Sequence, residues 1–415
     1  MVKTHERKRL IENFFSLSLI EGARYLLPFF TVPYLIRVLG AEKYGLIIFA
    51  QGLIQYFDIL TDYGFSISAT HEVSVNRDNK ERIGEIFSSI ILIRFFLMLF
   101  SFGILMVLVI NIPKLRSESL LYLLTFGAVF GNIFSPVWFF QGLEKMKYIT
   151  LISIVNRLFF TFSIFIFIRH SSHYIVVPVI NSLASIVAGF LGLWLAFKIY
   201  PLKLKFHMPT IFYLVKKSFF FFLSRLSISF YTITNTIVIG SIFTMEDVAY
   251  YGVAEKIVNL IRRPIDLSAR VIFPFSSYKK DRHFIRKIIN FSGLIGIAML
   301  IAVNLFAREI VYLVGGKDFY EAVVLLRILS FILPVVSIHV LMGSSVLVAF
   351  EKEKYFNSSV ILGSILYIGL LPILYITNII SLVLIAFLRV LVDVFILAYR
   401  SYYVRKFNLL GGINA

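Results

Sequence analysis

Arg262, Arg263, Asp266 and Arg270 lie within an otherwise apolar stretch of the chain. Asn259, Arg263, Asp266 and Arg270 fall at i, i+4, i+7 and i+11, the spacing of one face of a helix. Three guanidiniums against one carboxylate leave a positive charge that pairing within the group does not neutralise. Arginine forks bind phosphate oxygens in a bidentate way and stay charged at any accessible pH. A phosphate-bearing anion is therefore the ligand class that this stripe suits. A second stripe with the same spacing, Gln51, Gln55, Asp58 and Asp62, lies nearer the amino terminus. Glu21, Arg24, Arg94 and Arg225 are further charges in apolar surroundings. Near the centre of a membrane helix each charge costs at least ~2.5 kcal/mol, so these groups are expected to face water or a partner rather than lipid. The candidate cavity residues are thus Arg24, Arg262, Arg263, Arg270, Asp58, Asp62, Asp266, Glu21, Arg94 and Arg225.

Simpler roles compete with binding at several positions. Arg389 and Asp393, at i and i+4, make a structural ion pair the expectation there. Glu21 and Arg24, at i and i+3, could pair in the same way. Arg37 and Lys256 sit near expected helix ends and can reach the interface by snorkelling. His339 is expected to be a packing residue. Most of the 44 Phe and 22 Tyr are expected to face lipid or form interfacial belts. Pro28, Pro33, Pro136, Pro264, Pro274, Pro334 and Pro372 are expected to interrupt helices, with Pro28 and Pro264 as candidate hinges. The chain contains no phosphate-binding Gly-x-x-x-x-Gly-Lys loop, no His-Glu-x-x-His and no Asp-x-Asp pair. It is expected to be no enzyme and to carry no cofactor or metal.

The elements that must position these charges follow from composition. The 415 residues are 59% hydrophobic, with a mean hydropathy of +0.87. That is more apolar surface than a soluble core of this size buries. Cysteine is absent, which excludes disulfides and thiolate chemistry. The apolar run after the basic segment Met1 to Leu10 is too long for a cleaved signal peptide and reads as a retained first helix. Stretches long enough to cross a ~30 Å hydrocarbon layer recur along the chain. They fall at 14–39, 46–70, 86–110, 120–141, 149–168, 175–197, 218–243, 250–275, 288–307, 320–345, 356–376 and 379–399. The fold class expected is an all-α integral membrane protein of about 12 transmembrane helices. Lysine and arginine concentrate in the two tails and in alternate connections, so both termini are expected in the cytoplasm. The same bias accounts for the net charge of +18 without nucleic acid as a partner.

The chain also repeats itself. Leu143-Glu144-Lys145-Met146-Lys147-Tyr148 recurs 207 residues later as Phe350-Glu351-Lys352-Glu353-Lys354-Tyr355, and Tyr44-Gly45 recurs as Tyr251-Gly252 at the same interval. The two polar stripes correspond at nearly that interval. These matches predict two homologous six-helix halves, 1–198 and 218–415, around a central cavity, joined by a basic cytoplasmic linker at 199–217. Parallel repeats of this kind are a known transporter design.

Leu39-Gly40-Ala41-Glu42-Lys43-Tyr44-Gly45, Asp62-Tyr63-Gly64-Phe65 and Gln141-Gly142-Leu143-Glu144-Lys145 carry a family likeness. With them the chain resembles the Wzx-type O-antigen flippases, polysaccharide transporters of the multidrug/oligosaccharidyl-lipid/polysaccharide exporter superfamily. The resemblance covers nearly the whole chain in length, helix count and two-half layout. It implies a bacterial inner-membrane flippase that exports undecaprenyl-diphosphate-linked O-antigen repeat units from the cytoplasmic to the periplasmic leaflet by alternating access. Membrane lipids, an O-antigen polymerase and a chain-length regulator are the further partners implied. A multidrug or cation antiporter of the same superfamily should show an acidic cavity, against which the arginine surplus argues. A membrane-embedded polymerase should show a large outside loop, and all outside loops here are short.

Overall fold

A computed structural model describes the backbone of residues 2–202 and 204–411. Side chains are described for residues 27–202, 204–269, 272–273, 276, 278 and 280–411. Helix dominates throughout, and no strand occurs among the described residues. The cause is the solvent: in hydrocarbon each backbone N–H and C=O must be satisfied inside its own segment, which a helix alone achieves without a partner strand.

In the first part of the chain the helices are α1 (Val2–Asp62), α2 (Phe65–Val75), α3 (Lys80–Asn111), α4 (Pro113–Arg116), α5 (Ser119–Ile133), α6 (Val137–Gly142), α7 (Met146–Phe167) and α8 (Val176–Ile199). They are followed by α9 (Met208–Thr232), α10 (Thr234–Ile242), α11 (Met245–Lys279), α12 (Arg282–Leu305), α13 (Ala307–Gly315), α14 (Ala322–Ser330), α15 (Ile332–Leu341), α16 (Glu353–Ile376) and α17 (Leu382–Lys406). A π-helical turn, Met342–Val348, extends α15. Every expected span falls on helical backbone, interrupted by short breaks. Among the described residues nine helices are long and apolar enough to cross a membrane. The first two expected spans merge in that count, because only Gly40 (φ 78, ψ 170) separates them. That conformation is open to glycine alone, so the expected first turn shrinks to one residue. Two more spans drop out because of charge. Every membrane-length stretch of α9 holds Lys216, Lys217 and Arg225, and α11 carries Glu255, Lys256, Arg262, Arg263 and Asp266.

The second expected span, 46–70, is broken at Tyr63 and Gly64, both with positive φ (47° and 79°). Gly64 needs its missing side chain as well as its conformation. A Cβ there would stand 2.7 Å from Phe221 Cβ and 2.8 Å from the Phe222 nitrogen. Ser68 Oγ lies 2.7 Å from Ser218 Oγ across the same contact, and Tyr63 stacks on Phe222. Helix ends are capped by local chemistry. Asn79 accepts from the Arg82 N–H at the start of α3, Thr244 and Asp247 form a reciprocal box at the start of α11, and Ser381 caps α17.

The chain divides into two compact units, the first ending at Leu226 and the second beginning at Ser227. Phe65, Phe87, Trp138, Phe139, Phe140 and Leu214 belong to one buried cluster of the first unit. In the second, Tyr231, Tyr367, Leu388, Val392 and Ile396 form one cluster, and Ile285, Ile289, Leu341 and Leu347 another. Large apolar side chains also cover the outside, among them Phe100, Phe162, Phe220, Phe291 and Ile376, as expected of a surface that meets lipid. The basic segment after Ile199 is tied to the first unit. Lys205 Nζ lies 2.6 Å from Glu81, its N–H donates to Ser88 Oγ, and Arg82 donates to Thr210. From Met208 onward this segment is already helix α9.

The prolines do less than expected. The helical backbone of α1 runs through Pro28 and Pro33, that of α11 through Pro264, and that of α16 through Pro372. Neighbouring groups can satisfy the carbonyl that a membrane proline releases. Pro136, after the end of α5, and Pro334, just inside α15, do sit at breaks. The side chain of Pro274 is outside the described residues.

Candidate functional site

Four of the expected site residues come together in the first unit. Asp58 and Asp62 occupy the last turns of α1, Arg94 lies in the middle of α3, and Arg225 lies late in α9. Asp62 Oδ2 is 2.7 Å from Arg225 Nη1, and Asp62 Oδ1 accepts from Ser66 Oγ at 2.5 Å. Asn132 joins the rest. Its side-chain amide donates to Asp58 Oδ1 at 3.1 Å, and its carbonyl accepts from Arg94 Nη2 at 2.9 Å. Arg94 Nη1 donates to the Ile133 carbonyl at 3.1 Å. A helix end leaves its last carbonyls without intrahelical donors, and the buried Arg94 supplies two of them where α5 stops. Two carboxylates and two guanidiniums make this cluster formally neutral. Asn132 was not among the expected residues. Its only signal was a polar side chain at the end of an apolar run, just before Ser135-Pro136.

In the second unit Arg262 forms a fork with Asp266, from Nε to Oδ2 at 3.2 Å and from Nη2 to Oδ1 at 3.4 Å. Asn259, Arg263 and Asp266 are all half-buried. Glu255, Asn259, Arg262 and Arg389 line one small pocket together with Val258, Leu329 and Ile332. No direct hydrogen bond joins the Glu255 carboxylate to another of the described residues. The candidates Glu21, Arg24 and Arg270 lie outside the described side chains.

Deeper in the same unit Arg389 Nη1 meets Asp393 Oδ2 at 2.6 Å, with both side chains buried. His339 is more than packing. Arg400 Nη1 donates to the His339 carbonyl at 2.8 Å and lies 3.3 Å from His339 Nδ1, while Arg400 Nε donates to Ser359. An arginine can only donate, so Nδ1 is the accepting atom of that contact. Nε2 faces Asp393 Oδ1 at 3.5 Å. Arg400 escaped the sequence reading because the last span was expected to stop at 399. Helix α17 continues to Lys406, which brings Arg400 inside and leaves it 3% exposed.

Comparison with known proteins gives the class first. Over 96% of this chain and 87% of the other, the fold matches the lipid II flippase MurJ in an inward closed conformation, with a TM-score of 0.74 at 16% identity. It also matches a multidrug resistance MATE family transporter in an inward-facing conformation, with a TM-score of 0.72 at 15% identity, covering 94% and 96% of the two chains. The molecule is thus an all-helical, multi-pass membrane protein with a transporter fold.

Its family follows from the sequence. The model of the polysaccharide biosynthesis protein family matches residues 10–280, and the chain belongs to that family. A curated relative from Escherichia coli (strain K12), described as "Putative O-antigen transporter", is 28% identical over 370 residues, 86% of this chain and 88% of the relative.

Proposed function

We propose that this protein is a flippase that moves undecaprenyl-diphosphate-linked O-antigen repeat units from the cytoplasmic to the periplasmic leaflet of the bacterial inner membrane by alternating access. Membership of the polysaccharide family and the O-antigen relative support the substrate class, and the likeness to a lipid II flippase supports a fold able to handle a lipid-linked diphosphate. The observation that carries the reading is the cationic stripe of α11. Arg262, Arg263 and Arg270 supply three guanidiniums along a span whose one acid on that stretch is Asp266.

Arg262 is held by a single carboxylate at hydrogen-bond length. A diphosphate offers more charge and more acceptor oxygens than Asp266, so it can take over the fork without leaving a guanidinium unpaired. The exchange keeps the Arg262 guanidinium paired throughout, and the half-buried Asp266 carboxylate that gives up the fork is open enough to be met by water. The lipid tail stays in the bilayer, and no reaction is asked of the protein. Both termini lie in the cytoplasm on this reading, and the polymerase and chain-length regulator act on the exported product.

The experiment is a deletion strain complemented with variants. Loss of the protein should leave lipid-linked repeat units in the cytoplasmic leaflet. Arg262→Ala removes a charge-assisted contact worth ~1.5–3 kcal/mol, about 10- to 100-fold in affinity. It should lose surface O-antigen at normal protein abundance, and Arg262→Lys should recover part of it, since lysine keeps the charge without the fork. Normal export by alanine variants at Arg24, Arg262, Arg263 and Arg270 would move headgroup recognition elsewhere. A second reading, a multidrug or cation antiporter, draws on the MATE likeness and on the pair of acids Asp58 and Asp62. It predicts no accumulation of lipid-linked sugar and a drug-sensitive deletion strain.

A further inference from the structure

The repeated Glu-Lys turn has the same backbone in both units. In the first, Leu143 N donates to Phe139 O, Glu144 N to Gln141 O, Lys145 N to Phe140 O and Tyr148 N to Lys145 O. In the second, Phe350 N donates to Val346 O, Glu351 N to Val348 O, Lys352 N to Leu347 O and Tyr355 N to Lys352 O. All four bonds recur in the same register, 207 residues apart. The pattern is a helix end closed by a left-handed residue, a position that glycine normally fills because an L side chain is strained there. Here the left-handed residue is a glutamate each time, Glu144 with φ 57° and Glu351 with φ 64°. A strained side chain kept at equivalent places in two units calls for a use of that side chain.

The use is visible in both. Glu144 Oε1 lies 3.6 Å from Arg77 Nη1, in the turn between α2 and α3. Glu351 Oε1 lies 3.0 Å from Lys280 Nζ, in the turn between α11 and α12. Lys280 holds the Glu351 carboxyl below the usual carboxylate range, so the pair stays charged at neutral pH. Beneath each pair the turn rests on apolar packing. Gly142 is in close contact with Val73 of α2, and Phe350 packs on the cluster that contains Ala269 of α11. The chain therefore joins the same two connections in each unit, the one after the second span and the one after the fourth, by a charge pair above an apolar contact.

We propose that Glu144 and Glu351 are twin clasps, each tying the two basic-face turns of its own unit so that the ends of four helices move as one body. Both pairs are open to water, and exposed pairs are individually weak. Such a clasp restrains a turn without freezing it, which suits a part that must be carried through a conformational cycle.

The test uses purified full-length protein in lipid nanodiscs, so it does not depend on what is transported. The chain has no cysteine, and pairs introduced at Asp78 and Lys147, or at His283 and Lys354, can be spin-labelled uniquely. Wild-type clasps should give one narrow distance distribution per pair. Glu144→Gly and Glu351→Gly relieve the backbone strain while deleting the carboxylate. They should broaden the distribution of their own unit, leave the other unit unchanged, and melt no lower than the parent. Exchanging the charges, with Arg77→Glu plus Glu144→Lys or Lys280→Glu plus Glu351→Lys, should restore the narrow distribution. Unchanged widths in the glycine variants would overturn the proposal. So would charge-exchanged pairs as broad as the single variants, or glycine variants that melt well below the parent, since the glutamate would then serve folding alone.

Discussion

The seam between α5 and α8 in the first unit and the seam between α15 and α17 in the second occupy matching places in the repeat, yet they are built in opposite ways. Glycine and serine make the first. A Cβ on Gly127 would stand 2.8 Å from Ser182 Oγ, and one on Gly131 would meet the backbone of Ser185 and Ile186. Ser182 Oγ donates to the Leu124 carbonyl at 2.5 Å. Small residues let backbones approach closely, which is how membrane helices gain contact when lipid is as apolar as they are. The second seam has Arg389 where the repeat places Ser182, His339 where it places Asn132, and Ile338 where it places Gly131. Its helices stand on Arg389, Asp393, His339 and Arg400, all buried. The first seam has no room to add an atom, and the second has no partner to spare. Asn132 has the same split character on a small scale, since it serves Asp58 with its side chain and Arg94 with its backbone.

The sharpest way to break this comparison is to unbalance the charged seam. Asp393→Asn leaves the Arg389 guanidinium buried without its counter-charge, a change that costs about 3–5 kcal/mol in buried pairs. We expect a large loss of thermal stability in detergent and lower abundance in the membrane. A variant that melts like the parent would mean that the pair is dispensable to the seam. Gly131→Ala should do less damage, by overpacking rather than by unpairing. Forcing a methyl group against the α8 backbone should cost about 1–3 kcal/mol, read as a lowered melting temperature, while the matched control Gly103→Ala, with open space at its Cβ, should change little. Ser182→Ala is the mildest test. It deletes one hydrogen bond and keeps the close approach, so a loss of about 1 kcal/mol is expected. A loss as large as that of Gly131→Ala would show that the first seam depends on hydrogen bonding more than on shape.

Much of the architecture was legible because the membrane simplifies the problem. A run such as Ile86 to Ile110 has one way to satisfy its backbone in hydrocarbon, and all twelve spans read from composition fall on helix. The recurring Glu-Lys turn was legible from six residues, and its backbone bonds recur in register. Span ends were harder. Asp62 to Phe65 reads as continuous helix by hydropathy, and only the close approach of α9 explains why Gly64 breaks it. Arg400 was set outside the last helix because hydropathy falls before the helix does.

By itself the sequence determined the solvent, the helical class, the recurring Glu-Lys turn and the positions of the charges within apolar spans, since each follows from local composition and spacing. Tertiary structure alone decided the pairing of the charges that lie far apart in the chain. Asp62 with Arg225, Asp58 with Asn132, and Arg400 with His339 are separated by 163, 74 and 61 residues, and a stripe of charges does not say which carboxylate each arginine will find. That choice rests on which helices touch, and it turned Arg94 into the clamp of a helix end and His339 into part of an ionic seam. Once lipid has made every unpaired charge expensive, the contact between helices selects the partner.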